Sequence, residues 1–201
     1  MSNQPTSQQI TPPTHVDNKS TEYATSEFNI LSFNDDTQGD EIPDQAWEQI
    51  EQIQDIAYRD ELAEGIDILK IKADVSPETC FVCVDGEEQV LGYVLAHPWE
   101  GEQVPCINQD ISDSEELVSP QEASTLYIHD LAITPEARGE GVAQALIENV
   151  IEQAQSFDID KISLVAVQGM SGFWSKFGFK SMKSTSTDSY GDDAQFMVNQ
   201  L

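Results

Sequence analysis

ITPEARGEGVAQALIENVIEQAQ, Ile133 to Gln155, decides how the rest of this chain is read. A proline comes first, then Arg138-Gly139-Glu140-Gly141, then an apolar pattern of helical period. Val142, Ala145, Leu146, Asn149 and Val150 recur at helical spacing, and Ile147, Ile151 and Ala154 widen the face, as in a helix that covers a sheet. Gly139 and Gly141 let the backbone turn tightly with no Cβ in the way of a ligand. A helix start offers unpaired N–H groups and the positive end of its dipole, and Arg138 adds a fixed charge. On these residues alone the segment is either a plain turn or an anion cradle. It is neither the Gly-x-x-x-x-Gly-Lys-Ser/Thr loop nor the Gly-x-Gly-x-x-Gly turn of nucleotide-binding folds.

The neighbours of this stretch give it a context. TLYIHDLAI (125–133) reads as a strand before it and KISLVAV (161–167) as a buried strand after it. Strand, helix and strand then form a crossover with two parallel strands. Upstream, FNILSF (28–33) alternates as a strand. IPDQAWEQIEQIQDIAY (42–58) places Ile42, Ala46, Ile50, Ile53 and Ala57 on one helical face. DELAEGIDILKIK (60–72) reads as a second helix weakened by Gly65, and TCFVCVD with QVLGYVLAHPW as a hairpin. Downstream, MSGFWSKFG (170–178) is a short helix closed by Gly178, and FKSMK and AQFMVNQ are final strands. The order is β-α-α-β-β-β-α-β-α-β-β. Residues 100–123 have little periodicity and no Lys or Arg, and a loop that long in a compact domain is often functional.

The chain has 201 residues, 9 basic and 37 acidic, for a net charge of −28. That argues against nucleic acid and anionic membranes as partners and fits a cationic one, or a host that keeps its proteins acidic. No apolar run reaches membrane-spanning length, and the N-terminus has no secretory pattern. Residues 1–26 are polar and poor in apolar side chains, which reads as a flexible tail ahead of a domain over 27–201. Three cysteines suit a reducing compartment, so a cytoplasmic location is expected. Cys80 and Cys83 in CFVC sit three apart on a strand, point to opposite faces, and so do not read as a redox pair or metal ligands.

Arg138 to Ala143 also fits the pattern Arg/Gln-x-x-Gly-x-Gly/Ala, after a strand ending Leu-Ala-Ile and about 25 residues before LVAVQGMSGFWSKFGFK. This combination resembles the GNAT superfamily of N-acetyltransferases. The resemblance implies an α/β (α+β) GNAT fold: a mixed, mostly antiparallel sheet of about seven strands with helices on both faces. It implies acetyl-CoA as cosubstrate and no metal. The N–H groups of Gly139, Glu140, Gly141, Val142, Ala143 and Gln144 would hold the pyrophosphate beside Arg138. The strand backbone at Leu131, Ala132 and Ile133 would hold the pantetheine arm, with the Leu131 N–H on the thioester oxygen. Glu140 departs from the basic or neutral residue usual in relatives.

Within that resemblance His129 is the candidate base and Tyr127 a candidate acid. Strand alternation puts Tyr127, His129 and Leu131 on one face and Ile128 and Asp130 on the other, unless a bulge shifts them. The usual tyrosine before x-x-x-Gly-Phe is Trp174 here, and an indole N–H cannot usefully give up a proton. Gln168 matches a position that contacts CoA in relatives, His97 reads as structural, and SYGDD (189–193) as a turn. The expected reaction is acetyl transfer to a primary amine, on a small molecule or a peptide. Residues 1–123 carry 27 acidic and 4 basic side chains and residues 124–201 carry 10 and 5. That imbalance favours a cationic acceptor. A homodimer is left open. The alternatives are a GNAT chain that senses acyl-CoA without turnover, and a scaffold whose acidic face binds a basic protein.

Overall fold

The computed structural model describes residues 27–34, 42, 45–101, 103–183 and 187–201. The expected tail over 1–26 lies outside them. Seven strands form one sheet: β1 (Phe28–Ser32), β2 (Phe81–Asp85), β3 (Val90–Trp99), β4 (Thr125–Ile133), β5 (Lys161–Ala166), β6 (Lys180–Ser181) and β7 (Gln195–Gln200). Their order is β1-β2-β3-β4-β5-β7-β6. Only β4 and β5 run parallel, joined by helix α3 (Val142–Ser156); the other pairings are antiparallel. The class, the element order and the mixed sheet agree with the sequence reading.

Each face of the sheet has its own core. Helices α1 (Ala46–Ala57) and α2 (Ile66–Val75) cover one face, where Ile50, Ile53 and Leu69 pack on Cys80, Val82, Tyr93 and Leu95. Helix α3 and the short α4 (Ser171–Ser175) cover the other, where Leu146, Val150 and Trp174 join Phe81, Cys83, Val94 and Leu164. Cys80 and Cys83 therefore do point to opposite faces, and burial pushes both thiols up to about 12. Helix α2 starts six residues later than the pattern suggested. Leu62 and Ala63 turn back onto the Arg59 carbonyl, and Gly65 is the extended residue before the first turn.

Candidate active site

The cleft follows from one extra residue in β4. Asp130 lies opposite Leu95 and Ile128 opposite Ala96, so His129 is a bulge. The bulge bends β4 away from β5, and the parallel ladder extends only from Leu126 to Ile128 against Ile162 to Leu164. Beyond it the strands splay, leaving a cleft of about 680 Å³ between them. That is inside the range of roughly 300–1,000 Å³ typical of small-molecule sites. The bulge also corrects the face expected from simple alternation. Leu131 packs with the α3 side of the core, while Asp130 joins His129 on the α1 side.

Beyond the bulge one edge of β4 has no strand partner among the described residues. The Thr134 N–H bonds Leu91 on β3, so alternation turns the backbone of Leu131 and Ile133 toward the cleft. Side chains take their carbonyls: the Tyr58 hydroxyl donates to Leu131 at 3.0 Å and Arg138 Nε to Ile133 at 3.4 Å. An extended ligand arm can pair with such an edge as an added strand.

At one end of the cleft is the glycine turn. Gly139 and Gly141 both have φ of 90°, the left-handed region that costs other residues. Gly141 is the residue before α3, no side chain among the described residues caps this helix end, and its first turn holds no acidic residue. The first backbone bond of α3 is Ala145 N–H to Gly141, so Val142, Ala143 and Gln144 keep their N–H groups free of helical partners. Gly139, Gly141, Ala143 and Gln144 line the cleft with Arg138 and Lys176, making its positive end. Glu140 is exposed and outside the lining. Lys176 was not singled out from the sequence.

The other end is titratable. Lys72 and Glu64 are 0% and 3% exposed, and both Glu64 oxygens accept from Nζ at 2.7 and 2.6 Å. The third Lys72 donor meets His129 Nε2, which also lies 2.9 Å from Glu64 Oε2. Lysine only donates and carboxylate only accepts. The Lys72 contact therefore needs Nε2 bare, and the Glu64 contact needs it protonated. The two contacts call for different proton placements on Nε2, reached by a change of tautomer or by gain of a proton, while the buried Nδ1 has no partner among the described residues. Burial, then the Lys72 ammonium, pulls the imidazole below its ordinary range. Burial would raise the Glu64 carboxyl, yet His129 and Lys72 outweigh it and hold it at about 2.

Asp130 beside it is a second hub. It accepts from Tyr58 at 2.5 Å, Tyr93 at 2.6 Å and Gln54 at 3.1 Å. Burial raises the Asp130 carboxyl, and the two tyrosine hydroxyls oppose that. Tyr58, from the end of α1, reaches both Asp130 and the Leu131 carbonyl and lines the cleft. Tyr58, Glu64 and Lys72 were absent from the sequence reading. The one signal for Lys72 was a charge between Leu69 and Ala73 on an apolar helical face.

The remaining candidates separate. Tyr127 is 1% exposed and stands 6.0 Å from the His129 ring, but its hydroxyl faces Tyr190 at 3.2 Å. Trp174 lines the cleft as an apolar wall, edge-on to Phe173 and Phe179 at 5.3 Å each. Gln168 lines it too, with its amide tied across to α1 by a bond to the Ala57 carbonyl and one from the Arg59 N–H. His97 is fully buried 6.1 Å from the His129 ring, and neither of its nitrogens has a partner among the described residues.

Known proteins share this fold. The family model described as the acetyltransferase (GNAT) family matches residues 45–179. No curated protein matches the sequence. Among solved structures, the NatC complex bound to Gag peptide and CoA is 18% identical, with a TM-score of 0.62 over 87% of this chain and 99% of that one. The ribosomal-protein-S18-alanine N-acetyltransferase from Escherichia coli is 12% identical, with a TM-score of 0.56 over 87% and 94%. The GphF GNAT-like decarboxylase in complex with isobutyryl-CoA is 12% identical, with a TM-score of 0.62 over 87% and 98%. The chain belongs to the GNAT acetyltransferase family.

Proposed function

We propose that this chain is an N-acetyltransferase that moves the acetyl group of acetyl-CoA to a cationic primary amine by direct attack. The observation that carries this reading is the splayed cleft itself. It joins a cationic glycine turn to a buried carboxylate–imidazole cluster along an unpaired strand edge. The fold alone would not choose the reaction, since one neighbour in the same fold is a decarboxylase.

Acetyl-CoA enters as substrate. The turn at Arg138–Gln144 holds its pyrophosphate, and the β4 edge at Leu131–Ile133 holds the pantetheine arm. The Leu131 N–H donates to the thioester oxygen as negative charge grows there. The bound ammonium first loses one proton. The freed lone pair then attacks the thioester carbon, and the carbon–sulfur bond breaks. The nitrogen's second proton passes to solvent, and CoA leaves as a thiolate that takes up a solvent proton. His129 accepts the first amine proton, directly or through water. On gaining it, Nε2 exchanges its Lys72 contact for the Glu64 carboxylate, which stabilises the imidazolium. Trp174 stands where the family pattern has its tyrosine, so thiolate protonation falls to solvent.

Trp174 in that position favours one second reading, a chain that binds acyl-CoA without turnover. CoA-dependent thermal stabilisation tests for the cleft, and thiol release with a panel of amines tests for turnover. Stabilisation without thiol release from any amine sinks the enzyme.

A further inference from the structure

A second cavity opens off the cleft at its titratable end. It holds about 40 Å³ and shares Tyr58, His129, Asp130, Val165 and Val167 with the cleft. Its remaining walls are Leu62, Glu64, Tyr190 and Ile107, the last from the long segment between β3 and β4. That segment is fixed on both sides of Ile107. The Tyr190 hydroxyl donates to the Pro105 carbonyl at 2.7 Å. Asn108 gives its N–H to Glu64 at 2.5 Å and takes the Gly65 N–H at 2.9 Å. Ile107 is therefore a pinned wall rather than a loose loop side chain.

Size and charge limit what fits. One water takes roughly 10–15 Å³ of such volume. About 40 Å³ then holds an amino group and one or two carbons. The polar wall carries the carboxyl groups of Glu64 and Asp130, and the one ammonium beside them, Lys72, pairs with Glu64 from outside the lining, which leaves room for one more positive charge. The apolar wall, made by Leu62, Ile107 and the two valines, suits methylenes.

We propose that this vestibule is the acceptor subsite and that it selects an unbranched aminomethyl group, as on a lysine side chain or a polyamine end. It turns away an amine on a branched carbon, such as a peptide α-amine. Ile107 sets the width. This deepens the acetyltransferase reading and rests on it.

The probes are n-butylamine and sec-butylamine, isomers of equal charge, with binding to the CoA-loaded protein read by saturation-transfer NMR. Wild type should bind n-butylamine about tenfold tighter or more, the size expected for a misplaced methyl in a fitted pocket. Ile107→Ala should bring the ratio near one by admitting the branched isomer, and Leu62→Ala should do the same from the opposite wall. Circular dichroism confirms that each variant is folded. Equal binding of the isomers by wild type, no binding of either, or an unchanged ratio in folded variants overturns the proposal. Thiol release from acetyl-CoA is read separately. Discrimination without turnover leaves the vestibule standing as an alkylammonium site and removes the reaction. Equal acetylation of both isomers keeps the reaction and removes the vestibule.

Discussion

His129 Nε2 lies 2.9 Å from a Glu64 carboxylate oxygen and shares that oxygen with the Lys72 ammonium. A ring nitrogen between an obligate donor and an obligate acceptor has one partner in either state, Lys72 when bare and Glu64 when protonated. Burial keeps the imidazole neutral to lower pH than usual. The acid limb of kcat/KM should therefore lie below the ordinary histidine value of about 6.5. His129→Ala should lower turnover roughly a hundredfold with CoA affinity preserved, and should remove that limb. Wild-type turnover with an unchanged profile takes His129 out of the mechanism.

Lys72 and Glu64 are both sequestered, so removing one strands the other. Lys72→Met should cost about 3–5 kcal/mol of unfolding free energy. Adding Glu64→Gln to it should cost less than the two single changes together, because the second change removes the stranded charge. Strict additivity in denaturant titrations would show that the pair is not coupled.

Acid stability has a defined sign. His97 is buried without partners and its ring is pulled well below 6.5, first by desolvation and then by His129 and Lys72. The unfolded chain thus binds protons that the folded chain refuses, and stability falls as pH drops below about 6.5. His97→Leu loses no described hydrogen bond, so it should leave stability at pH 7 unchanged or higher and flatten the acid decline. An equally steep decline in the variant places the sensitivity elsewhere.

Gly141 has φ of 90°, and a Cβ built there meets nothing within 4 Å, so the backbone angle alone demands glycine. Gly141→Val should cost about 1–2 kcal/mol of stability. It should also weaken CoA by about tenfold or more if the branched side chain intrudes on the phosphates. Unchanged CoA affinity in a folded variant contradicts the cradle.

The acidic excess of residues 1–123 should steer cations. For a cationic amine, kcat/KM should fall between low and moderate salt, mostly through KM, as the screening length shortens. A neutral amine of similar size should be poorer and insensitive to salt. If uncharged or acidic amines react better, the charge serves solubility only.

The fold was legible because period and punctuation agreed over long elements: TLYIHDLAI and VAQALIENVIEQAQ leave little choice. The glycine turn was legible because its chemistry is local. The titratable end was not, because it is assembled across distance. Glu64 and Lys72 are 65 and 57 residues from His129, and Tyr190 is 63 from Tyr127. The bulge that swaps the faces of Asp130 and Leu131 leaves no mark in an alternating strand, since one inserted residue reads as ordinary alternation.

The reaction itself is tested most directly by mass spectrometry of an amine panel incubated with acetyl-CoA and the full chain. Free CoA is counted in the same samples, and Gly141→Val serves as control. The expected result is acetylated cationic amine and CoA thiol formed in equal amounts, at a rate above the uncatalysed background and, at limiting acetyl-CoA, about tenfold or more lower in the variant. Thiol release without acetylated amine, or acetylation equal in the variant, would contradict acetyl transfer in this cleft.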